Sequence, residues 1–110
     1  MSGALKDLWL PEVEAEYFAL LKKGRDVAFD VGNQFRVFER ILERGVDRNW
    51  QPIARVKSAD VYVAYAGRVL MFLAVSGSRA AIVKWTTLGT PNEESMAERE
   101  AKDRTARCFS

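Results

Sequence analysis

The residues of this chain that are best suited to binding or catalysis are cations interleaved with aromatic residues between positions 55 and 85. Cations neutralise phosphates and aromatic rings stack on bases, so this mixture is typical of nucleic-acid-binding surfaces. Residues 46–90 carry six basic groups against two acidic ones, whereas the flanking segments each carry a net charge of −1. The candidate binding residues are Arg55, Lys57, Tyr62, Arg68, Arg79, Lys84 and Trp85.

Several other chemistries are excluded by the residue types alone. The chain contains no histidine, so it lacks the usual general base of a hydrolytic triad and a common zinc ligand. Its single cysteine, Cys108, has no disulfide partner in the chain and no histidine to activate its thiol. The seven glycines form neither a phosphate-binding loop nor a dinucleotide fingerprint. We therefore expect no metal and no cofactor, and an incidental role for Cys108.

Length and composition indicate one globular domain spanning residues 1–110. Hydrophobic residues make up 48% and charged residues 29%, which argues against disorder. No apolar run approaches the length of a membrane-spanning helix. The acidic residues near the N-terminus are atypical of signal and transit peptides, so we expect a cytoplasmic location. The sequence does not reveal the oligomeric state.

Three strands between Asp60 and Thr87 are predicted to position the cations. Apolar runs rich in β-branched and aromatic residues are interrupted by Ala66–Gly67 and by residues 76–79, which are typical of tight turns. A fourth strand is predicted over Ile53–Lys57, with Arg55 and Lys57 on one face. A solvated edge strand is the alternative interpretation of those two cations.

Two-residue turns would fix the pairing of these strands. They place Tyr65 opposite Arg68, and Phe72 opposite both Val61 and Val83. We expect the resulting apolar face to pack on helices; it carries Val61, Val63, Leu70, Phe72 and Val83. The opposite face would carry a row of Tyr62, Met71 and Lys84. Lys84 is either functional or a strand lysine whose ammonium group extends to solvent.

Helices are predicted before the first strand and after the last strand in the sequence. One begins at Pro11 and is closed by residues 22–24, and a second runs from about residue 26 to residue 44 before Gly45. A last helix begins at a Thr90–Glu93 capping box and runs to about residue 107, with a thin apolar side that would hold it loosely. Residues 4–9 suit an edge strand or a helical approach equally. The expected class is α+β: an N-terminal helix hairpin packed on a small antiparallel meander, with a C-terminal helix.

This order of elements resembles the RelE/ParE superfamily of bacterial toxins, particularly its HigB-like, prophage-associated branch. The residues that carry the resemblance are VYVAY at 61–65 with GRVLMF at 67–72, and IVKWTTLGTP at 82–91, followed by Ala101 and Arg104. The resemblance implies a RelE-like fold and a toxin paired with a cognate antitoxin protein. It also implies a metal-independent endoribonuclease that cleaves mRNA on the ribosome.

The first hypothesis is that the chain is such an endoribonuclease. In it, Lys84 is the candidate general base and Arg68 holds the scissile phosphate. Arg55, Lys57 and Arg79 would bind RNA, and Tyr62 or Trp85 would stack a base. The family's paired lysines after the last strand are missing here, which favours a second hypothesis. In it, the same fold is a non-catalytic binding module, such as a gyrase-directed toxin of the ParE type or a phage protein that binds a host complex.

Overall fold

A computed structural model describes residues 10–77 and 79–109, and within them the chain has the predicted α+β architecture. Between residues 10 and 109, as far as the structure describes them, two helices precede a four-stranded antiparallel sheet and a third helix follows it. The elements are α1 Pro11–Leu21, α2 Arg25–Arg44, β1 Ala54–Val56, β2 Ala59–Ala66, β3 Val69–Ser76, β4 Arg79–Thr87 and α3 Pro91–Cys108. Residues 4–9, for which the sequence left two possibilities open, lie outside the described residues, as does Ser78 of the second predicted turn.

Residues with known helix-start and helix-stop preferences lie at the ends of the helices. Pro11 occupies the first turn of α1, and Gly45 ends α2 at a φ of 80°, a backbone conformation that glycine adopts without strain. The Thr90 hydroxyl accepts the Glu93 N–H at 3.2 Å, and the Glu93 carboxylate accepts the Thr90 N–H at 3.1 Å. The capping box predicted for α3 is therefore confirmed.

The strands run in the order β1-β2-β3-β4, but the register predicted for them is wrong. Tyr65 opposes Leu70 and not Arg68, because the turn consists of Gly67 and Arg68, with Gly67 at a φ of 58°. A shift of two residues leaves each side chain of β2 on its expected face. Lys57 also departs from prediction, since it lies in the turn after β1 with a φ of 56°.

A β-bulge separates the two halves of the β3–β4 pairing. Phe72 pairs with Lys84 whereas Leu73 pairs with Ile82, so Val83 is the extra residue. The bulge places Trp85 opposite Met71 and takes Lys84 out of line with Tyr62 and Met71. The predicted row of Tyr62, Met71 and Lys84 on one face is therefore wrong.

Both faces of the sheet are buried, and the helix hairpin covers the face opposite to the one predicted. One face of the sheet packs against α1 and α2, through helix residues such as Val13 and Phe38. The sheet residues on this face include Tyr62, Ala64, Met71, Leu73, Ile82 and Trp85. The face that carries Leu70, Phe72 and Val83 instead packs against α3. Alanines Ala97 and Ala101 let α3 approach this face closely, while Phe109 covers its end. α3 therefore has more packing than its thin apolar side predicted.

Candidate functional site

Lys84 lies in a cluster of four charged side chains that joins three elements. Its Nζ donates to Glu16 Oε2 of α1 at 2.6 Å and to Glu100 Oε2 of α3 at 3.1 Å. Arg104 of α3 donates to the same two residues, at 2.8 Å to Glu16 Oε1 and at 3.2 Å to Glu100 Oε2. We call Glu16, Lys84, Glu100 and Arg104 the charge cluster; it holds two cations and two carboxylates, and so balances its own charge.

The charge cluster also satisfies backbone groups on the outer edge of β4. The Trp85 N–H donates to Glu16 Oε1 at 3.1 Å, and Arg104 Nη1 donates to the Val83 carbonyl at 3.1 Å. These groups lie at the bulge, where an uncovered edge would offer hydrogen bonds to another strand. The cluster thus closes this part of the sheet edge with side chains from α1 and α3.

The electrostatics of the cluster are those of a paired, partly buried network. Burial by itself lowers the pKa of Arg104, but its hydrogen bond to Glu16 and the charges of Glu16 and Glu100 outweigh burial, so the pKa is raised. The Lys84 side chain is only 13% exposed. A general base needs a free amine, whereas Lys84 donates to two carboxylates. The geometry therefore favours a structural role for Lys84 and opposes the predicted general-base role.

Arg68 lies in a different place, in an open cleft of about 530 Å³ lined by Lys23, Val27, Arg68, Thr87 and Leu88. We call this the anion cleft, because its charged lining residues are both cations. The side chains of Arg68 and Lys23 are exposed and Thr87 is half-buried. Lys84 is not among the lining residues, so the two predicted catalytic residues do not share one site.

The backbone of Arg68 is fixed although its side chain is exposed. Its N–H donates to Asp30 Oδ2 of α2 at 3.3 Å, and its carbonyl accepts the Leu88 N–H at 2.8 Å. A Cβ at position 67 would collide with the Asp30 carboxylate and displace it, and the positive φ of Gly67 also favours glycine there. These contacts hold the turn at the mouth of the cleft.

Gln34, one helical turn after Asp30, forms hydrogen bonds to the same β2–β3 hairpin. The side chain is completely buried, and its Nε2 donates to the Ala64 carbonyl at 2.8 Å and to the Val69 carbonyl at 3.0 Å. A buried amide that bonds both strands of a hairpin resists their movement relative to α2. Asp30 and Gln34 therefore position Arg68 without contacting its side chain.

The other predicted cations lie outside the anion cleft. Arg55 is on edge strand β1 with its side chain 70% exposed, and its Nε lies 3.8 Å from Asp60 Oδ1. Lys57 is exposed in the next turn. The guanidinium of Arg79 stacks over the Phe109 ring, 5.1 Å from its centroid, which ties the start of β4 to the end of α3. None of these three residues lines the cleft that contains Arg68 and Lys23.

The two aromatic residues predicted to stack bases belong to the core. Trp85 is 2% exposed, and its ring lies 5.2 Å from the Phe35 ring between centroids. Tyr62 packs against Trp50 at 6.0 Å, and burial, followed by the charge of Asp60, raises the pKa of its phenol. Neither ring offers a face to a base in this structure, because the helix hairpin covers their side of the sheet. The burial of both rings opposes the prediction that Tyr62 or Trp85 stacks a base.

Sequence reasoning missed two functional or structural partners. Lys23 was interpreted only as part of a helix end, whereas the fold places it with Arg68 in the lining of one cleft. Glu16 was one of several acidic residues on α1. Its spacing of three residues from buried Val13 and four from buried Leu20 was the one signal that it lies near the core side of the helix.

No helix among the described residues has both the length and the apolar character needed to cross a membrane. Within residues 10–77 and 79–109, no group of three or more potential metal ligands comes together. Comparison of the chain with protein-family models, with curated proteins and with solved structures finds no match.

Proposed function

We propose that this chain is the toxin component of a bacterial toxin–antitoxin pair, of the RelE/ParE type, and that it binds translated mRNA through the anion cleft. The observation that carries the proposal is Arg68, whose backbone is fixed at the mouth of an open cleft beside Lys23. The order of helices and strands is also the one that the resemblance implies. The proposed place of action is the cytoplasm, with the cognate antitoxin as the second partner.

The chemistry of the anion cleft suits an RNA backbone. A guanidinium can bind two phosphate oxygens at once, while the ammonium of Lys23 adds a compact second charge and the Thr87 hydroxyl a neutral donor. Because the backbone of Arg68 is held by Asp30 and Leu88, little main-chain freedom is lost when a phosphate binds. Phosphate binding is the part of the proposal that the geometry supports directly.

Cleavage of the bound RNA is carried by the resemblance. It implies attack of a 2′-hydroxyl oxygen on the neighbouring phosphorus as a base takes the hydroxyl proton, and departure of the 5′-oxygen as an acid protonates it. It also implies a cation that stabilises the extra negative charge of the transition state. Arg68 is suited to that last role. Lys84 is excluded from the proposed reaction centre because it lies in the charge cluster with Glu16 and Glu100.

The second candidate function is the non-catalytic binding module, directed at gyrase or another host complex. One specific observation favours it: the predicted base Lys84 is bound to two carboxylates and does not line the cleft that contains Arg68. Such a module would use the same exposed cations to contact an acidic partner surface. The two candidates differ in what happens to cellular RNA.

Expression in a bacterial host separates the candidates. We expect wild-type protein to arrest growth and shorten translated transcripts, and Arg68→Ala to reduce transcript cleavage by about 100-fold or more, the usual cost of removing a transition-state donor. Lys23→Ala should weaken RNA binding and lower its salt dependence by about one phosphate contact. Arg40→Ala is the matched control, because this exposed residue lies about 20 Å along α2 from Val27.

The outcomes are distinct. Growth arrest with intact transcripts and DNA damage would replace cleavage by the gyrase-directed function. Equal toxicity of wild type and Arg68→Ala, at equal protein levels, would remove the anion cleft from the mechanism. Absence of growth arrest from folded wild-type protein would contradict the toxin proposal itself.

A further inference from the structure

A second concave surface lies on the α3 side of the sheet and shares no residue with the anion cleft. It has a volume of about 340 Å³, and its apolar floor includes Val63, Leu70 and Phe72. Tyr65 lies at its side with 61% of its surface exposed. Its other wall is the first half of α3, from which Glu94 and Glu98 line the opening. We call this the acidic groove.

The two carboxylates of the acidic groove have no cationic partner in the described part of the chain. Glu94 and Glu98 are half-buried, yet neither forms an ion pair with any residue of 10–77 or 79–109. Like charges four residues apart repel each other on a helix surface. Glu94 is in the first turn, where the helix dipole favours it, but Glu98 lies beyond that turn. The stability of α3 alone therefore does not explain the pair.

From this arrangement we infer that the acidic groove binds a basic amphipathic segment of a partner protein. An apolar side chain of that segment packs on the exposed ring of Tyr65 and on the half-buried side chains of Ile53 and Val63. A lysine or arginine about one helical turn away pairs with Glu94 and Glu98. Charge complementarity selects this occupant, because the same two carboxylates repel the phosphates of a nucleic acid. The inference does not depend on the function proposed for the anion cleft.

The test uses two synthetic amphipathic helical peptides with the same apolar stripe. One carries lysines four residues apart beside the stripe, and the other carries glutamates at those positions. With isotopically labelled full-length protein, we expect the lysine peptide to shift backbone NMR signals of β2, β3 and the first half of α3. The glutamate peptide should leave those signals unchanged at the same concentration.

Charge-neutralising variants test whether Glu94 and Glu98 contribute to binding of the lysine peptide. Glu94→Gln with Glu98→Gln should weaken binding of the lysine peptide by about tenfold, as expected for two partly exposed ion pairs. Glu39→Gln with Glu43→Gln is the matched control, since these exposed glutamates are also four residues apart, on α2. The control should bind like the wild type.

Each of the contrary results overturns the inference. Equal binding of both peptides would mean that only apolar contact matters, and no shift with the lysine peptide would mean that the groove does not accept such a segment. Unchanged affinity of the Glu94→Gln, Glu98→Gln protein would remove the carboxylates from recognition. Concentration-dependent dimerisation abolished by that same double change would assign the groove to a second copy of this chain.

Discussion

Removal of Glu16 is the most informative single change in this fold, because its carboxylate connects α1 to both other elements of the charge cluster. Its two oxygens accept three hydrogen bonds, from Lys84 Nζ, Arg104 Nη1 and the Trp85 N–H. In Glu16→Ala, the two cations keep one carboxylate, Glu100, whose side chain is 45% exposed, and Arg104 also keeps the Val83 carbonyl. The edge of β4 also loses an acceptor.

The expected cost follows from those contacts. A hydrogen bond to a charged group contributes about 1.5–3 kcal/mol, so the three bonds to the Glu16 carboxylate set an upper range of about 4.5–9 kcal/mol. Glu100 and solvent at the partly exposed side of the cluster offset some of this loss. We therefore expect Glu16→Ala to lower the free energy of unfolding by about 3 kcal/mol. That is a large part of the total free energy of unfolding of a typical domain, which is about 5–15 kcal/mol.

Urea unfolding followed by circular dichroism measures this effect. Glu14→Ala is the control, since Glu14 is exposed on the same helix and should change stability by about 0.5 kcal/mol or less. In the double variant Glu16→Ala, Lys84→Met, part of the loss should be recovered, because one of the two cations that would otherwise share Glu100 has also been removed. A loss below about 1 kcal/mol for Glu16→Ala, or strict additivity in the double variant, would refute the structural role of the cluster.

Two further predictions concern the α3 side of the molecule. Phe72→Ala should cost about 3–5 kcal/mol of unfolding free energy, since Phe72 is 3% exposed beneath α3; a loss under half of that in urea unfolding would place it outside the core. The capping box lowers the pKa of Glu93 below its ordinary value of 4.5, chiefly through the Thr90 N–H and then the Thr90 hydroxyl. Its stabilising contribution is therefore present above that value and lost as the pH falls through the lowered pKa. A carboxyl titration followed by NMR should show the lowered pKa in wild type and a partial return in Thr90→Ala, and equal values in both would contradict the cap.

The elements could be predicted because their signals are local. The β-branched runs, the glycines at turns and the Thr90–Glu93 box each act within a few residues, and each produced the element expected of it. The β2–β3 register failed by two residues because Ala66–Gly67 and Gly67–Arg68 are both acceptable two-residue turns in sequence. The hydrogen bond from the Arg68 N–H to Asp30 accompanies the second choice, and it joins residues 38 positions apart.

The face covered by the helix hairpin could not be predicted because both faces of the sheet are apolar. Hydrophobic alternation identifies a core face only when the other face is polar. Here the second face gains Trp85 through the bulge at Val83, and the partners at that bulge come from α1 and α3. Glu16 and Trp85 are 69 residues apart, so no local pattern in β4 indicates the bulge.

The same non-local contacts change which residue best tests the proposed function. Lys84 stood out in the sequence as a cation in an apolar strand, and its ion pairs with Glu16 and Glu100 now account for that position. Loss of toxicity in Lys84→Ala would therefore follow equally from a weakened fold and from lost chemistry. Arg68 avoids this ambiguity, because its side chain is exposed and its structural contacts are made by backbone atoms, which remain in Arg68→Ala. A functional defect in that variant, at unchanged unfolding free energy, reports on the anion cleft alone.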